Sequence, residues 1–234
     1  STLFPYTTLF RSALATSAFY NCVNMDVTAT DAPKLTGGIS LFSMFRGCTS
    51  LVYNTSIDNW MTADVTNMVA MFSGATSFNQ PIGNWNTGSV TDMTSMFLSA
   101  TSFNQPIGNW NTGNVTDMSY MFDGATSFNQ PINWNVQNVI LMRGLLKGAT
   151  SFNKPFGTTF ATSLTNTLDI SRMFEGATSF NQPIVNWNTV SVNIVEDMFY
   201  NATSFDQPLD GLKFDSRPRS EEHTSELQSR VSIS

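Results

Sequence analysis

Apolar and polar positions along this chain follow a unit of about 25 residues. One copy, residues 96–120, has the sequence MFLSATSFNQPIGNWNTGNVTDMSY. From Val90 to Phe97 the apolar residues stand at positions i, i+3, i+6 and i+7, a spacing that predicts a short helix. From Phe103 to Trp110 the apolar residues surround a proline, which predicts a short extended strand with a bend on each side. Each unit is therefore predicted to contain one short helix and one short strand.

Eight copies of the unit can be aligned, with steps of 26, 27, 25, 25, 24, 28 and 25 residues. Units of this length predict a solenoid, because they stack and bury one continuous core. The predicted fold class is an α/β repeat solenoid of leucine-rich-repeat type, with about eight coils and one short parallel strand plus one short helix per coil. Glycines that follow Met-Phe pairs, such as Gly74 and Gly124, are predicted to be left-handed. The anchors of the copies are Ala18, Met44, Met71, Met96, Met121, Leu145, Met173 and Met198.

Aromatic residues recur at two positions of the unit and are predicted to stack from coil to coil as core ladders. In the 28-residue unit Phe160 is expected to take the place of a tryptophan. The alternative for the tryptophans is a row of sugar-binding platforms, and a ring in every coil favours the core. The Phe ladder is Phe78, Phe103, Phe128, Phe152, Phe180 and Phe205, and the Trp ladder is Trp60, Trp85, Trp110, Trp134 and Trp187.

Polar residues form ladders as well. Buried asparagines would satisfy the backbone of the turn and of the next coil, whereas exposed ones would be a polar binding strip, and we favour the structural role. The threonines, with the serines that follow them, are expected to bond the unpaired carbonyls after the predicted helix, with an ice-ordering hydroxyl array as the alternative. The Asn ladder is Asn79, Asn104, Asn129, Asn153 and Asn181, continued by Asp206; the Thr ladder is Thr49, Thr76, Thr101, Thr126, Thr150, Thr178 and Thr203; the candidate ligand-binding residues are Gln80, Gln105, Gln130, Gln182 and Gln207.

Two cysteines, Cys22 and Cys48, fall at the same position of successive units. One coil apart, their Cα atoms are expected about 5 Å from each other, which is within disulfide range. We predict that they can form a disulfide, which would agree with an extracellular setting. The alternative is two buried thiols in a slot that elsewhere holds Ala or Ser.

Composition narrows the chemistry. Charged residues make up 12% of the chain, and 11 basic against 17 acidic residues give a net charge of −6, which argues against binding to nucleic acid. The chain has one histidine, two cysteines and no apolar run long enough to span a membrane. Asp92 and Asp117 stack, but Asn67 and Leu141 at the same position argue against a calcium site. We expect no enzyme activity, no catalytic residue, no metal and no cofactor.

The two ends of the chain differ from the repeats. Residues 2–12, TLFPYTTLFRS, and 219–229, RSEEHTSELQS, each resemble the translation of a short-read sequencing adapter. We therefore expect residues 1–12 to be adapter-derived, 13–214 to be a solenoid fragment truncated at both ends, and 215–234 to be a poorly defined tail. The single histidine, His223, belongs to the second adapter-like stretch.

Two motifs carry a family resemblance. The motif Trp-Asn-Thr-x-x-Val-Thr-Asp-Met-x-x-Met-Phe at residues 85–97 and the motif Ala-Thr-Ser-Phe-Asn-Gln-Pro-Ile at 75–82 resemble the repeat of BspA-like leucine-rich-repeat surface proteins, which also occurs in mycoplasma-type surface lipoproteins. The resemblance implies a secreted or surface-attached, non-catalytic protein. It implies adhesion to protein or glycan partners on another cell or matrix, and no family binding residue can be placed on this chain. A structural or ice-binding solenoid is the alternative function.

Overall fold

A computed structural model describes residues 15–25, 32–33, 35–52, 57–167, 169–210 and 212. The adapter-like stretches 2–12 and 219–229 lie outside the described residues. In the described part of the chain the regular elements are strand β1 (Ile39–Ser40), a 3-10 helix (Ile57–Asn59), strand β2 (Val65–Asn67) and helix α1 (Thr158–Thr162).

Strands β1 and β2 begin a parallel column that runs through the repeats. They pair in parallel through Ile39 with Val65 and Ser40 with Asn67, with a register shift between the two pairs. Single parallel bridges then continue from each repeat to the next. Successive repeats are therefore in contact along their backbones in the same direction. We call this column the bridge strip, and its residues are Ser40, Asn67, Asp92, Asp117, Leu141, Asp169 and Ile194.

The short helix predicted after the bridge strip does not form, and this expectation was wrong. The N–H of Phe72 donates to the carbonyl of Met96 in the next repeat (2.9 Å), and the N–H of Gly74 donates to the carbonyl of Leu98 (2.7 Å). In an α-helix these N–H groups would instead bond carbonyls four residues earlier. Between them, the N–H of Ser73 closes a tight turn to the carbonyl of Ala70 (3.1 Å). The apolar spacing that resembles a helix therefore belongs to a chain of turns.

Left-handed residues explain how these turns follow one another. Gly74 and Gly124 have φ of 70°, as predicted, but they end a turn and not a helix. A second left-handed position precedes each anchor, and it is occupied mostly by residues other than glycine, which hid it in the sequence. In the repeat at Gly144 (φ 58°) glycine is needed, since a Cβ atom would lie 2.7 Å from the ring of Tyr120. The other residues at this second position are Ser17, Ser43, Ala70, Ser95, Tyr120, Arg172 and Asp197.

The short strand predicted between Phe103 and Trp110 is also absent. The N–H of Phe103 bonds the carbonyl of Ala100 (3.0 Å), and the N–H of Trp110 bonds the carbonyl of Ile107 (3.2 Å), so these backbone groups close local turns. Most of the parallel pairing lies at the bridge strip instead, and one further parallel bridge, from Ile132 to Phe156, lies in the segment that corresponds to the predicted strand. The assignment of the whole fold to the leucine-rich-repeat solenoids stays a prediction.

The core is a set of stacked aromatic columns. The rings of the Phe ladder follow one another at 5.8–6.1 Å between centroids. A second Phe column, which the sequence analysis did not single out, stands one residue after the anchors, and Phe72 stacks on Phe78 of the ladder at 3.9 Å. In the 28-residue unit, α1 buries Phe160 with its ring 5.4 Å from that of Trp187. The members of the second column include Phe19, Phe45, Phe72, Phe97, Phe122, Phe174 and Phe199.

Candidate functional site

The Trp ladder lies inside the protein. All five indoles are at most 5% exposed. The Nε1 atoms of Trp85, Trp110 and Trp134 donate to backbone carbonyls of the preceding repeat at 2.7, 3.1 and 3.0 Å. Because a sugar stacks on an exposed ring face, these tryptophans cannot serve as a binding platform.

The Asn ladder joins the backbones of neighbouring repeats. The Oδ1 atom of Asn79 accepts the backbone N–H of Asn104 (2.9 Å), and the Oδ1 atom of Asn104 accepts the N–H of Asn129 (2.9 Å). The same bond recurs to Asn153, Asn181 and Asp206 at 2.9–3.0 Å. These amide oxygens are therefore already engaged in holding the stack together.

The five candidate glutamines lie beside the Asn ladder, half-buried. The Nε2 atom of Gln105 donates to the backbone carbonyl and the Oδ1 atom of Asn79 at 2.9 and 3.0 Å. The Nε2 atoms of Gln130, Gln182 and Gln207 also bond the asparagine of the preceding repeat, at 2.8–3.0 Å, and Gln80 bonds the carbonyl of Val52. Among the described residues no hydrogen bond reaches a glutamine Oε1 atom. The Nε2 atom of each glutamine therefore bonds the preceding repeat, whereas its Oε1 atom can accept a hydrogen bond from a ligand.

The Thr ladder also bonds between repeats. The hydroxyl of Thr101 donates to the carbonyl of Thr76 (3.2 Å), and the hydroxyl of Thr126 donates to the carbonyl of Thr101 (3.3 Å). Thr49, Thr76 and Thr150 make the equivalent bond at 3.4–3.5 Å. The hydroxyl protons of these five threonines therefore point at protein carbonyls. Thr178 and Thr203, the last two of the ladder, are exposed, and the ice-ordering role stays a prediction.

A buried threonine column escaped the sequence analysis. The hydroxyls of Thr62, Thr87 and Thr112 donate to carbonyls in the next repeat at 3.0, 2.9 and 2.8 Å, and these residues are at most 1% exposed. The signal was present, since each of these residues stands two positions after a ladder tryptophan. A polar residue at a constant distance from a core aromatic indicates a hydrogen bond made inside the stack.

The aspartates of the bridge strip serve local turns. The Oδ1 atom of Asp92 accepts the N–H and the hydroxyl of Thr94 at 2.9 and 2.6 Å, and Asp117 accepts the N–H of Ser119 at 2.8 Å. Asp169 makes the same bond at 2.8 Å. Within the described ranges no three His, Cys, Asp or Glu side chains come together as metal ligands would.

Charged side chains gather in the later repeats. Lys147 Nζ lies 3.1 Å from Glu175 Oε1, and Arg172 lies between Glu175 and Asp197 at 3.8 and 3.6 Å. Burial raises the pKa of Asp123, a rise that Lys147 opposes and Glu175 reinforces. Positive and negative side chains are therefore paired across the repeats, and the cluster has little net charge.

The two cysteines are both free thiols in the structure, Cys22 exposed and Cys48 buried. The thiol of Cys48 donates to the carbonyl of Phe19 (2.9 Å). Burial raises the pKa of Cys48 to about 11, with the backbone of Cys22 acting in the opposite direction. The disulfide between Cys22 and Cys48 stays a prediction.

A polar edge follows the glutamines, and one unit has Lys154 at the glutamine position. An exposed proline comes directly after each glutamine, and in three units an exposed asparagine, Asn84, Asn109 or Asn186, comes four residues after the glutamine. These groups recur from one unit to the next. The spacing is about 5.9 Å, which is the distance between the ring centroids of Phe78 and Phe103 at equivalent positions of two successive units. We call this surface the amide edge; it comprises Gln80, Pro81, Asn84, Gln105, Pro106, Asn109, Gln130, Pro131, Gln182, Pro183, Asn186, Gln207 and Pro208.

The remaining findings concern membrane-spanning helices and similarity to known proteins. Every helix in the described part of the chain is too short or too polar to traverse a bilayer. Neither a curated protein nor a solved structure matches the chain. A family model does match, over residues 39–160 and again over 132–229, which together span well over half of the sequence. Because the match covers well over half of the sequence, the chain belongs to the family described as Mycoplasma protein of unknown function, DUF285.

Proposed function

We propose that this chain is a non-catalytic, extracellular or cell-surface interaction protein of the BspA-like type, which binds protein or glycan partners along the amide edge. The observation that carries the proposal is the recurrence of a surface Gln-Pro pair in five units, with Lys154-Pro155 at the same position of a sixth. We further propose that the stacked repeats form a leucine-rich-repeat-like solenoid, which supplies the regular spacing.

The chemistry of the edge favours neutral polar ligands. Glutamine and asparagine amides carry both donors and acceptors, so that they match sugar hydroxyls and peptide groups without a charge on the partner. The prolines between them have no N–H and present a rigid apolar surface to a sugar ring or a side chain. A partner recognised in this way needs no complementary net charge, in keeping with the few charges of the chain.

The repetition of the edge favours partners that are themselves repetitive. One unit offers a few hydrogen bonds, each of modest net value in water. Several units engaged at once raise the overall affinity through effective concentration without any new kind of contact. Matrix fibres and glycan chains offer such repeated sites, and both suit a protein on a cell surface.

The test is binding of the full chain to an array of glycans and extracellular-matrix proteins. Asn109 and Asn186 are exposed members of the edge in two different repeats, and no hydrogen bond to either side chain is seen in the described structure. The double variant Asn109→Ala/Asn186→Ala should therefore fold normally and bind its array partner at least several-fold more weakly.

Ser102 and Ser179 provide the matched control. They are exposed, belong to the same two repeats and lie away from the amide edge, beside the Thr ladder. The double variant Ser102→Ala/Ser179→Ala should bind as the unchanged chain does. Equal losses in both double variants, or a chain that binds nothing on the array, would count against the proposal.

A further inference from the structure

The bridge strip changes its chemistry in one repeat. In three successive units its surface residues are Thr followed by Asn or Asp, at 66–67, 91–92 and 116–117. The next unit has Ile140 and Leu141 at these positions, 44% and 39% exposed. Two residues later stands Arg143, where the preceding unit has Ser119. A polar strip thus acquires two exposed aliphatic side chains and a cation in a single repeat.

The positive charge of Arg143 is not paired with a negative charge among the described residues. Its neighbours Lys147 and Arg172 both form ion pairs across repeats. Arg143 forms none within the described residues, and its Nε atom is shielded from solvent without a hydrogen-bond partner. A guanidinium left in this state favours a partner that brings a carboxylate to it.

The strip carries the complementary pair two repeats further on. Leu141 bridges to Asp169, and Asp169 bridges to Ile194, so that Leu141 and Ile194 occupy the same position of their units. Glu196 stands two residues after Ile194, as Arg143 does after Leu141, and it is exposed. Val190, 59% exposed, adds apolar surface in the same unit. Glu196 takes part in no ion pair within the residues described.

We propose that the bridge strip is a self-association surface, on which a second copy of this chain docks with two-fold symmetry. Arg143 of one protomer then faces Glu196 of its partner, and the reverse contact forms at the other end. In such an isologous interface each contact occurs twice, and one surface complements itself. On one protomer, the Arg143 and Glu196 positions belong to units two steps apart along the strip, which is about 10 Å. Asp169 lies at the midpoint, where it is 9% exposed and its Oδ1 atom accepts the N–H of Ser171 at 2.8 Å.

The interface also covers the apolar part of the strip. Leu141 of one protomer packs against Ile194 of the other, which removes the exposed aliphatic surface from water. The charge pairs select the antiparallel register, because the parallel register would place Arg143 opposite Arg143. This pairing goes beyond the proposed function, since it uses the bridge strip and not the amide edge.

Charge exchange tests the proposal on the full chain. The molar mass is measured by light scattering and sedimentation equilibrium over a range of protein concentrations at neutral pH. We expect a monomer–dimer equilibrium whose dissociation constant rises about tenfold or more in Arg143→Glu and in Glu196→Arg, since each creates two like-charge contacts. The double variant Arg143→Glu/Glu196→Arg should restore dimerisation to within about threefold, because it exchanges the charges and keeps their complementarity.

Lys154→Glu is the matched control, a charge reversal away from the bridge strip, and it should leave the equilibrium unchanged. Near-UV circular dichroism checks that each variant folds, and Arg143→Gln and Glu196→Gln replace any reversal variant that does not. The proposal is overturned if the unchanged chain is monomeric throughout, if the single variants dimerise equally well, or if the double variant fails to recover. Array binding through the amide edge is measured separately, so that failure of either proposal is visible by itself.

Discussion

The indole of Trp110 donates a 3.1 Å hydrogen bond to the carbonyl of Ile82, which lies in the preceding repeat. The indole is 3% exposed, so the bond is made away from water. The ring packs in the stack, and its single N–H is a second donor to the Ile82 carbonyl, which also accepts the N–H of Trp85 in its own repeat at 3.3 Å. Phenylalanine at this position would be smaller and would have no N–H to donate.

Replacing Trp110 by phenylalanine should therefore cost more than the lost volume. The Ile82 carbonyl would keep the N–H of Trp85 and lose the indole donor, which lowers the free energy of unfolding by about 0.5–1.5 kcal/mol beyond the effect of the volume. Urea unfolding of Trp110→Phe measures this as a lower midpoint with an unchanged slope. The neighbouring Asn109→Ala, on an exposed residue, is the control and should shift the midpoint little.

The backbone at Gly83 lies so close to the next repeat that a side chain would not fit between them. A Cβ atom at this position would lie 2.7 Å from the carbonyl oxygen of Pro106. We expect Gly83→Ala to destabilise the protein by about 1–3 kcal/mol, because the backbones of two repeats would have to separate. At Gly113 the nearest atom is the side-chain oxygen of Asn111 at 3.3 Å. Gly113→Ala should cost less in the same unfolding experiment, and equal costs would contradict the steric explanation.

Asn104 tests whether the Asn ladder holds the repeats together. Its Oδ1 atom accepts the backbone N–H of Asn129 and the Nε2 atom of Gln130. Asn104→Ala removes both bonds and should lower the free energy of unfolding by about 1–3 kcal/mol. Asn104→Asp keeps an acceptor in place and should recover part of the loss at pH 7. If Asn104→Asp lost as much free energy of unfolding as Asn104→Ala, the NH2 group of Asn104 would matter more than the two bonds that its Oδ1 atom accepts.

The Cys48 thiol should make stability depend on pH in the alkaline range. Burial raises its pKa from 9.0 to about 11 in the folded protein. A group with a raised folded pKa stabilises the folded state below its unfolded pKa, and this contribution is lost as the pH rises from about 9 to 11. We expect the free energy of unfolding of the reduced chain to fall more steeply over this interval than that of Cys48→Ala, which lacks the thiol. Parallel curves would contradict the shift.

Oxidation tests the predicted disulfide between Cys22 and Cys48. Peptide mass spectrometry after mild oxidation should find one cross-linked peptide that lacks two hydrogen atoms and disappears on reduction. The exposed Cys22 is expected to react first, and the buried Cys48 then attacks the activated sulfur. Two free thiols after prolonged oxidation would end the prediction.

The sequence was informative where one residue type has one structural use. The left-handed glycines Gly74 and Gly124 follow from a position after the Met-Phe pair that the chain repeats. The bonds of the Asn ladder follow from the chemistry of an amide beside a turn. In both cases the local chemistry leaves few alternatives, and copying the unit presents the same evidence several times.

Sequence reasoning failed where several residue types serve equally well. Ala70, Ser95 and Tyr120 all adopt the left-handed conformation, which no preference of these residues indicates. The bridge strip contains Asp92 and Leu141 at one position, so that its parallel pairing has no constant signature. Surface residues such as Ile140 and Arg143 differ from the pattern, and their meaning depends on what lies two repeats away.

The sequence by itself determined the length of the unit, the number of copies and the residues that recur in each. It could not determine which carbonyl each N–H would bond. The N–H of Phe72 has a possible helical acceptor four residues earlier and a real one in Met96 of the next repeat. The choice is made by the neighbouring repeat, whose Phe97 stacks on Phe72 at 5.7 Å and favours the second acceptor. Tertiary structure therefore decided that a helical spacing becomes a series of turns, because cross-repeat bonds form only once the core stacks.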